Sequence, residues 1–209
     1  RKAFLDVVDG WAYVDFLKRH PDVSAIACSE RGYISLSEVI SNKIVFIPQH
    51  HCNFERQKRT RKEVKIAGVI GNSEQFRYLP ADLKQKLKER GIELLTFSEF
   101  FTRQDIIDFY RKIDVQIVWR PWRKQLPNPI KIVNAASFGI PTIALDEIYF
   151  REMGNCYIGV NNLDELINEI DRLVENSHYY ETYADLCLKK AEDYHIDRIA
   201  KLYKDLEKL

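Results

Sequence analysis

The sequence predicts an α/β protein in which parallel sheets form two unequal lobes and helices close the C-terminus. Three observations carry this expectation. From about residue 64 onward, short apolar runs alternate with amphipathic helical patterns roughly every 25 residues, the mark of successive βα units. Residues 1–50 repeat the theme on a smaller scale, and the run 56–62 between the two regions holds no apolar side chain.

In the first lobe, residues 3–8, 23–28 and 43–47 are apolar enough for strands, which gives only a thin layer. The charged run 56–62 reads as a solvated interdomain linker, with a basic patch for phosphate or an anionic membrane surface as the alternative. The second lobe offers strands at 64–70, 93–97, 115–119 and 141–145, the later ones resembling strands buried on both faces. Between them, Leu83 and Leu87, then Ile106, Ile107 and Tyr110, then Ile130, Val133 and Ala136 recur at helical offsets that would cover a sheet. Right-handed crossovers would set successive strands side by side. After Asn161 and Asn162, Leu163, Leu166, Ile167, Ile170 and Leu173 share one helical face, and Asp164 and Glu165 favour its first turn. Two more helices follow, one around Leu186 and Leu188 and one carrying Ile196, Ile199, Leu202, Tyr203 and Leu206.

Composition narrows the function classes. With 209 residues, 45% of them hydrophobic, the chain can bury one substantial core or two small ones. Thirty-two basic against 31 acidic side chains leave a net charge of +1, so there is no electrostatic case for general nucleic-acid binding. No run of eighteen apolar residues occurs, and Asp6 comes too early for a signal-peptide core, so the expected location is cytoplasmic. Cys28, Cys52, Cys156 and Cys187 lack metal-ligand or disulfide-framework spacing and read as buried thiols. The only methionine, Met153, is internal, which suggests a part of a larger multidomain chain. The absence of G-x-G-x-x-G, Walker and G-x-S-x-G motifs disfavours dinucleotide oxidoreductases, P-loop kinases and α/β-hydrolases.

The most informative segment is 126–144. Asn128 can cap a helix, Pro129 suits its first position, Gly139 suits a left-handed stop and Pro141 prevents continuation. In an open α/β sheet such a helix starts at the carboxyl edge of the strands, where its amides and dipole bind anions. Lys131 in the first turn opposes the dipole, which makes sense beside a phosphate; a lysine snorkelling into water is the alternative. Nearby, Trp119, Arg120, Trp122, Arg123 and Lys124 put guanidinium forks and aromatic faces together, suited to clamping a diphosphate or to forming an ordinary solvated loop.

Residues 129–144 resemble the donor-site signature P-x-K-x-x-E-A-x-A-x-G-x-P-x-I-A of GT-B glycosyltransferases, with Asn134 where that family has its ribose-gripping glutamate. An amide there replaces a charge-assisted hydrogen bond by a neutral one. Residues 26–50 resemble the passage closing the family's N-terminal domain, with Gln49 and His50 in place of asparagine and glycine, and residues 66–71 resemble the first donor-domain strand with its glycine turn. The resemblance spans residues 23–175 in order. It implies two unequal Rossmann-like lobes, GT-B-like: 1–54 on the acceptor side, 55–185 binding the nucleotide sugar, and a last helix, 186–209, returning to the first lobe. It further implies transfer of a hexosyl or deoxyhexosyl group from a nucleoside-diphosphate sugar, as co-substrate, to a hydroxyl of a glycan, lipid or small molecule in glycan biosynthesis, with no catalytic metal and no cofactor. Gly71, Arg120 and residues Asn128, Pro129, Ile130 and Lys131 would hold the diphosphate, Phe97 and Ser98 the base and Asn134 the ribose, with Asn72 a further donor-binding residue. Phe97 suits core packing equally. Asp9 and His50 stand near strand ends as candidate bases, though Asp9 with Gly10 also reads as a turn and His50 as a solvated loop histidine. Two alternatives remain open: a non-catalytic scaffold module with a degenerate donor site, and a UDP-sugar epimerase on the same fold.

Overall fold

The structure, a computed structural model, describes residues 2–8, 11–120 and 128–208. The first sheet is parallel with order β1 (Ala3–Val7), β2 (Val23–Ala27), β3 (Ile44–Phe46). Helix α1 (Ala12–Arg19) and helix α2 (Glu30–Ser37) connect these strands. Val14 and Leu17, one turn apart on α1, are buried with Leu36 of α2 against Val7, Ala25 and Ala27. Ser29 starts α2 by accepting the Gly32 amide on its hydroxyl at 3.0 Å.

The second sheet is also parallel and contains β4 (Ile66–Ile70), β5 (Glu93–Phe97), β6 (Val115–Val118), β7 (Thr142–Leu145) and β8 (Ile158–Val160). Its order, β5-β4-β6-β7-β8, corrects the expectation that successive strands would be neighbours: β5 and β6 lie on opposite sides of β4. The chain must reverse direction across β4, and α/β sheets bind ligands where that reversal opens a crevice at the strands' carboxyl ends. Strand β8 was not legible in the sequence, because three residues carry too little periodicity.

Helices cover both faces of this sheet. On one, α3 (Leu83–Lys88) and α6 (Leu163–Glu175) pack Leu83, Leu87, Leu166 and Ile170 on Ala67, Val69, Val115 and Ile117. On the other lie α4 (Arg103–Lys112) and α5 (Ile130–Ser137). Gly68 permits α4 to come close, since a Cβ there would meet Ile113 at 2.5 Å and Phe109 at 2.8 Å. Helix α7 (Ser177–Ala191) then packs along α5, and α8 (Ile196–Asp205) places Ile199 and Leu202 with Leu206 against Ile26 and Ile47 of the first lobe. All four cysteines are buried, and none forms a disulfide among the described residues.

The charged run between the sheets is only partly the solvated segment that its composition suggests. Arg59, with only 6% of its side chain exposed, lies 2.9 Å from Asp114, and Arg61 lies 2.8 Å from the same carboxylate. Asp114 also accepts the amides of Lys65 and Ile66 at 2.8 and 2.9 Å. Burial alone would raise this carboxyl's pKa, but these donors together hold it below the usual value. Arg59 and Arg61 pair with this buried acid while Arg56, Lys58, Thr60 and Lys62 are exposed, and sequence polarity cannot tell the two apart.

Candidate functional site

The carboxyl ends of β4 and β6, the two strands between which the chain reverses, open into a cleft of about 280 Å³. Val69, Ile70, Ile117 and Val118 contribute apolar strand-end surface, Phe76, Leu79, Phe100, Trp119 and Phe150 apolar and aromatic walls. Polar groups enter from Gln49, Asn72, Gln75, Arg120, Asn128 and Lys131. An apolar pocket with a few convergent polar groups is the usual form of a small-molecule site.

Lys131 defines the polar end. Its ammonium reaches Gln75 Oε1 at 3.3 Å and lies directly above Gly71. A Cβ on residue 71 would sit 2.8 Å from both that ammonium and the Gln75 amide oxygen, so glycine is what leaves them room. Gly71 contributes space rather than a donor, because its own amide is bound to Phe97 O at 3.0 Å. Asn72 uses its side chain to accept the Glu74 amide, which starts the 3-10 turn Ser73–Tyr78 that carries Gln75.

The helix start differs from expectation in two details. Pro129 stands at the cap and Ile130 is the first helical residue, with Asn128 Oδ1 accepting the Ile130 amide at 3.1 Å. Pro129 has no N–H and the Ile130 N–H is already engaged, so the expectation that the amides of residues 128–131 jointly grasp a diphosphate is corrected: these two do not contribute. Arg120 lines the cleft but is locked to Glu147 through two hydrogen bonds, at 2.6 and 3.2 Å, with both side chains 12% exposed. An anion there must compete with a bidentate carboxylate.

Other expected residues fall elsewhere. Phe97 is stacked on Phe109 at 5.4 Å in the core beside α4, and neither it nor Ser98 lines the cleft; Phe100, further along the same loop, does. Asn134 also lies outside the cleft's lining, where its Oδ1 accepts the Cys52 amide at 2.8 Å and ties α5 to the segment joining the lobes. His50 is exposed on a smaller pocket of about 140 Å³ with Asp6 and Tyr203, and Gln49 borders both cavities. Its Nδ1–H donates to His51 O at 3.1 Å, which leaves Nε2 as the acceptor nitrogen. Asp9 lies outside the described residues, as do Trp122, Arg123 and Lys124.

Sequence reasoning missed Gln75 and Phe76, whose 3-10 turn has no apolar period, Leu79 at the end of that turn, and Gln49, whose Oε1 is buried with no partner among the described residues. An unpaired buried oxygen at a cleft wall is a group that a ligand donor would satisfy.

Two parallel α/β lobes with a cleft at the strand-order reversal make a GT-B-like fold. Among solved structures, it is similar to Alr3699/HepE of Anabaena in complex with UDP and glucose, at a TM-score of 0.67 and 14% identity over 95% of this chain and 66% of that one. It is similar to TarM at a TM-score of 0.64 and 12% identity, covering 88% of this chain and 43% of that one. The structure of accessory secretory protein 1, 2 and 3 of Streptococcus pneumoniae matches at a TM-score of 0.67 and 14% identity, over 98% of this chain and 48% of that one. The chain thus spans less than two thirds of these structures' length, and at such identities the likeness establishes the fold. No protein-family model and no curated protein matches the sequence. Among the described residues, no helix is long and apolar enough to cross a membrane.

Proposed function

We propose that this chain binds a nucleoside-diphosphate sugar in the cleft at the ends of β4 and β6 and takes part in transferring the sugar to a hydroxyl acceptor. The observation that carries this is the Lys131 ammonium, held above Gly71 at the mouth of an apolar cleft where the strand order reverses. A cation in a helix's first turn opposes the dipole, and a bound diphosphate offsets that repulsion. The Anabaena protein of the same fold was crystallised with UDP and glucose and with UDP-glucose, which makes UDP the first nucleotide to test.

Calorimetric titration with UDP, GDP, TDP and CDP is the direct measurement. We expect one of them to bind, and Lys131→Ala to weaken it about tenfold, the loss of about 1.4 kcal/mol of charge-assisted hydrogen bonding. No binding by any of the four, or equal binding by the variant, removes the assignment.

In the transfer step an acceptor hydroxyl attacks the anomeric carbon, the bond from that carbon to the phosphate oxygen breaks, and the nucleoside diphosphate leaves with its electron pair. The hydroxyl proton goes to His50 Nε2, the acceptor nitrogen on the cavity next to the donor cleft. Loss of such a base lowers rate by about 10²–10⁴-fold, so His50→Gln should lower kcat with nucleotide affinity unchanged. A variant turning over at the wild-type rate excludes His50.

A specific observation favours a second reading, a donor-binding scaffold without turnover. The position where the resembled signature has glutamate is Asn134, and its oxygen is committed to the Cys52 amide. Structures of the same fold include the Gap123 complex of Streptococcus agalactiae. Slow release of nucleoside diphosphate without acceptor separates the readings, since only a working site hydrolyses its donor.

A further inference from the structure

The 3-10 turn Ile148–Met153 touches both lobes at once. Phe150 is a wall of the donor cleft, and Glu147, which starts the turn, holds Arg120 of the same cleft. Just beyond Phe150, one carboxylate oxygen of Glu152 accepts the Glu30 amide at 2.6 Å, across 122 positions of sequence. Glu30 opens α2, so the bond sets an acid of the second lobe against a helix start of the first, where unbonded amides and the dipole favour it. The hydroxyl of Tyr194, a residue 5% exposed, donates to the other carboxylate oxygen at 3.3 Å and fixes the direction of the acid.

The junction that Glu152 holds leads directly to the cavity beside the donor cleft. Cys28, just before α2, accepts the Gln49 amide on its carbonyl at 3.3 Å, and Cys28, Gln49 and His50 line that one cavity. Asn134 ties α5 only to the segment joining the lobes, through the Cys52 amide. Glu152 instead reaches the strand-to-helix turn of the first lobe itself, the turn to which the Gln49 backbone is bonded.

We infer that Glu152 is a positioning residue, a clasp that seats the first lobe, and His50 with it, against the donor cleft. The clasp stands on the bond between the lobes, and its effect on turnover rests on the transferase reading. Burial raises the Glu152 pKa to about 7 and the Glu30 carboxylate adds to the rise, against the Glu30 amide, the Tyr194 hydroxyl and the Lys190 ammonium, which is itself paired with Asp193 at 3.4 Å. Released into water, the carboxyl returns to its ordinary 4.5. The clasped state therefore holds the proton more tightly, so the clasp is firmest below the released value and loosens as pH rises through about 7. One oxygen suffices for the Glu30 amide, so the neutral acid keeps that bond.

The test compares Glu152→Leu, which keeps the bulk but removes both acceptor oxygens, with Glu152→Gln, which keeps one. In the ligand-free full chain, amide hydrogen exchange at Glu30 reads the clasp directly, as a protection factor corrected for the intrinsic rate at each pH. We expect this protection to be about tenfold higher at pH 6 than at pH 8 in the wild type, the same at both in Glu152→Gln, and lost in Glu152→Leu. With UDP-glucose as the probe and water as the acceptor, Glu152→Leu should lower UDP release at least about tenfold with UDP affinity unchanged, and Glu152→Gln should restore it. Wild-type protection of Glu30 in Glu152→Leu, a pH dependence that survives in Glu152→Gln, or unchanged UDP release in Glu152→Leu would overturn the proposal. Should Glu152→Leu fail to fold, the pH comparison between the wild type and Glu152→Gln decides alone. Failure of the wild type to bind UDP counts against the donor cleft and leaves the Glu30 readouts to judge the clasp.

Discussion

The joint between the lobes and the donor cleft use cations in opposite ways. In the joint, guanidinium groups end on carboxylates: Arg56 on Glu192 and Asp197, Arg59 and Arg61 on Asp114, Arg103 on Glu55. In the cleft, Lys131 bonds the neutral amide of Gln75, and the Gln49 side-chain oxygen has no partner among the described residues. Asp114, with 1% of its side chain exposed, holds Arg59 and Arg61 at a buried carboxylate, whereas Lys131 reaches a neutral amide on the wall of a cleft. The comparison teaches that counting basic residues along a chain misplaces the anion site; what decides is which group the fold sets against each charge. Arg120 shows the boundary, since it lines the cleft but is joined to Glu147 as the joint arginines are to their acids.

The contrast can be broken most severely at Asp114. Asp114→Ala leaves Arg59 buried without its partner and two strand amides unbound, and urea unfolding should show a loss of about 3–5 kcal/mol. A loss below about 1 kcal/mol would mean the joint is solvated after all.

A middle-sized effect is expected at Glu152, where acid is buried between the lobes. Its carboxylate accepts the Glu30 amide at 2.6 Å and the Tyr194 hydroxyl at 3.3 Å. Burial, only partly opposed by the Glu30 amide, raises its pKa to about 7, from an ordinary 4.5. Because the folded state favours the neutral acid, this group's contribution to stability is greatest below about pH 4.5 and declines as pH rises to about 7. Glu152→Gln should therefore stabilise the fold by about 1–2 kcal/mol at pH 8 and by almost nothing at pH 4. Thermal melts at both pH values check this, and an equal change at both would refute it.

The smallest change in stability sharpens the other side of the comparison. Gly71→Ala pushes only the flexible ends of Lys131 and Gln75, so it should cost under about 1 kcal/mol in stability. Nucleotide affinity should nevertheless fall as in Lys131→Ala. Unchanged affinity would show that the ammonium's position above residue 71 does not matter for binding.

Fold legibility varied with the strength of local pattern. Strands β4, β6 and β7 were readable because a central parallel strand is apolar on both faces, and α5 because proline and glycine punctuate both of its ends. Strand β8 and the 3-10 turn bearing Gln75 were not, being short and aperiodic. At the site, Lys131 and Gly71 could be singled out from spacing, but nothing local announced that Phe97 would stack in the core while Phe100 lines the cleft. Both are loop-adjacent aromatics, and which of them turns inward depends on where α4 lies.

Alone, the sequence determined the alternation of strands and helices, the parallel sheets and the capped helix that carries Lys131, since these follow from period, propensity and end signals within a few turns of chain. Tertiary structure alone decided that β5 and β6 flank β4, that Asp114 consumes two of the joint's arginines and that Asn134 faces Cys52. Those pairings join residues tens of positions apart, and a charge or an amide takes its meaning from whichever group the folded chain brings within hydrogen-bonding distance.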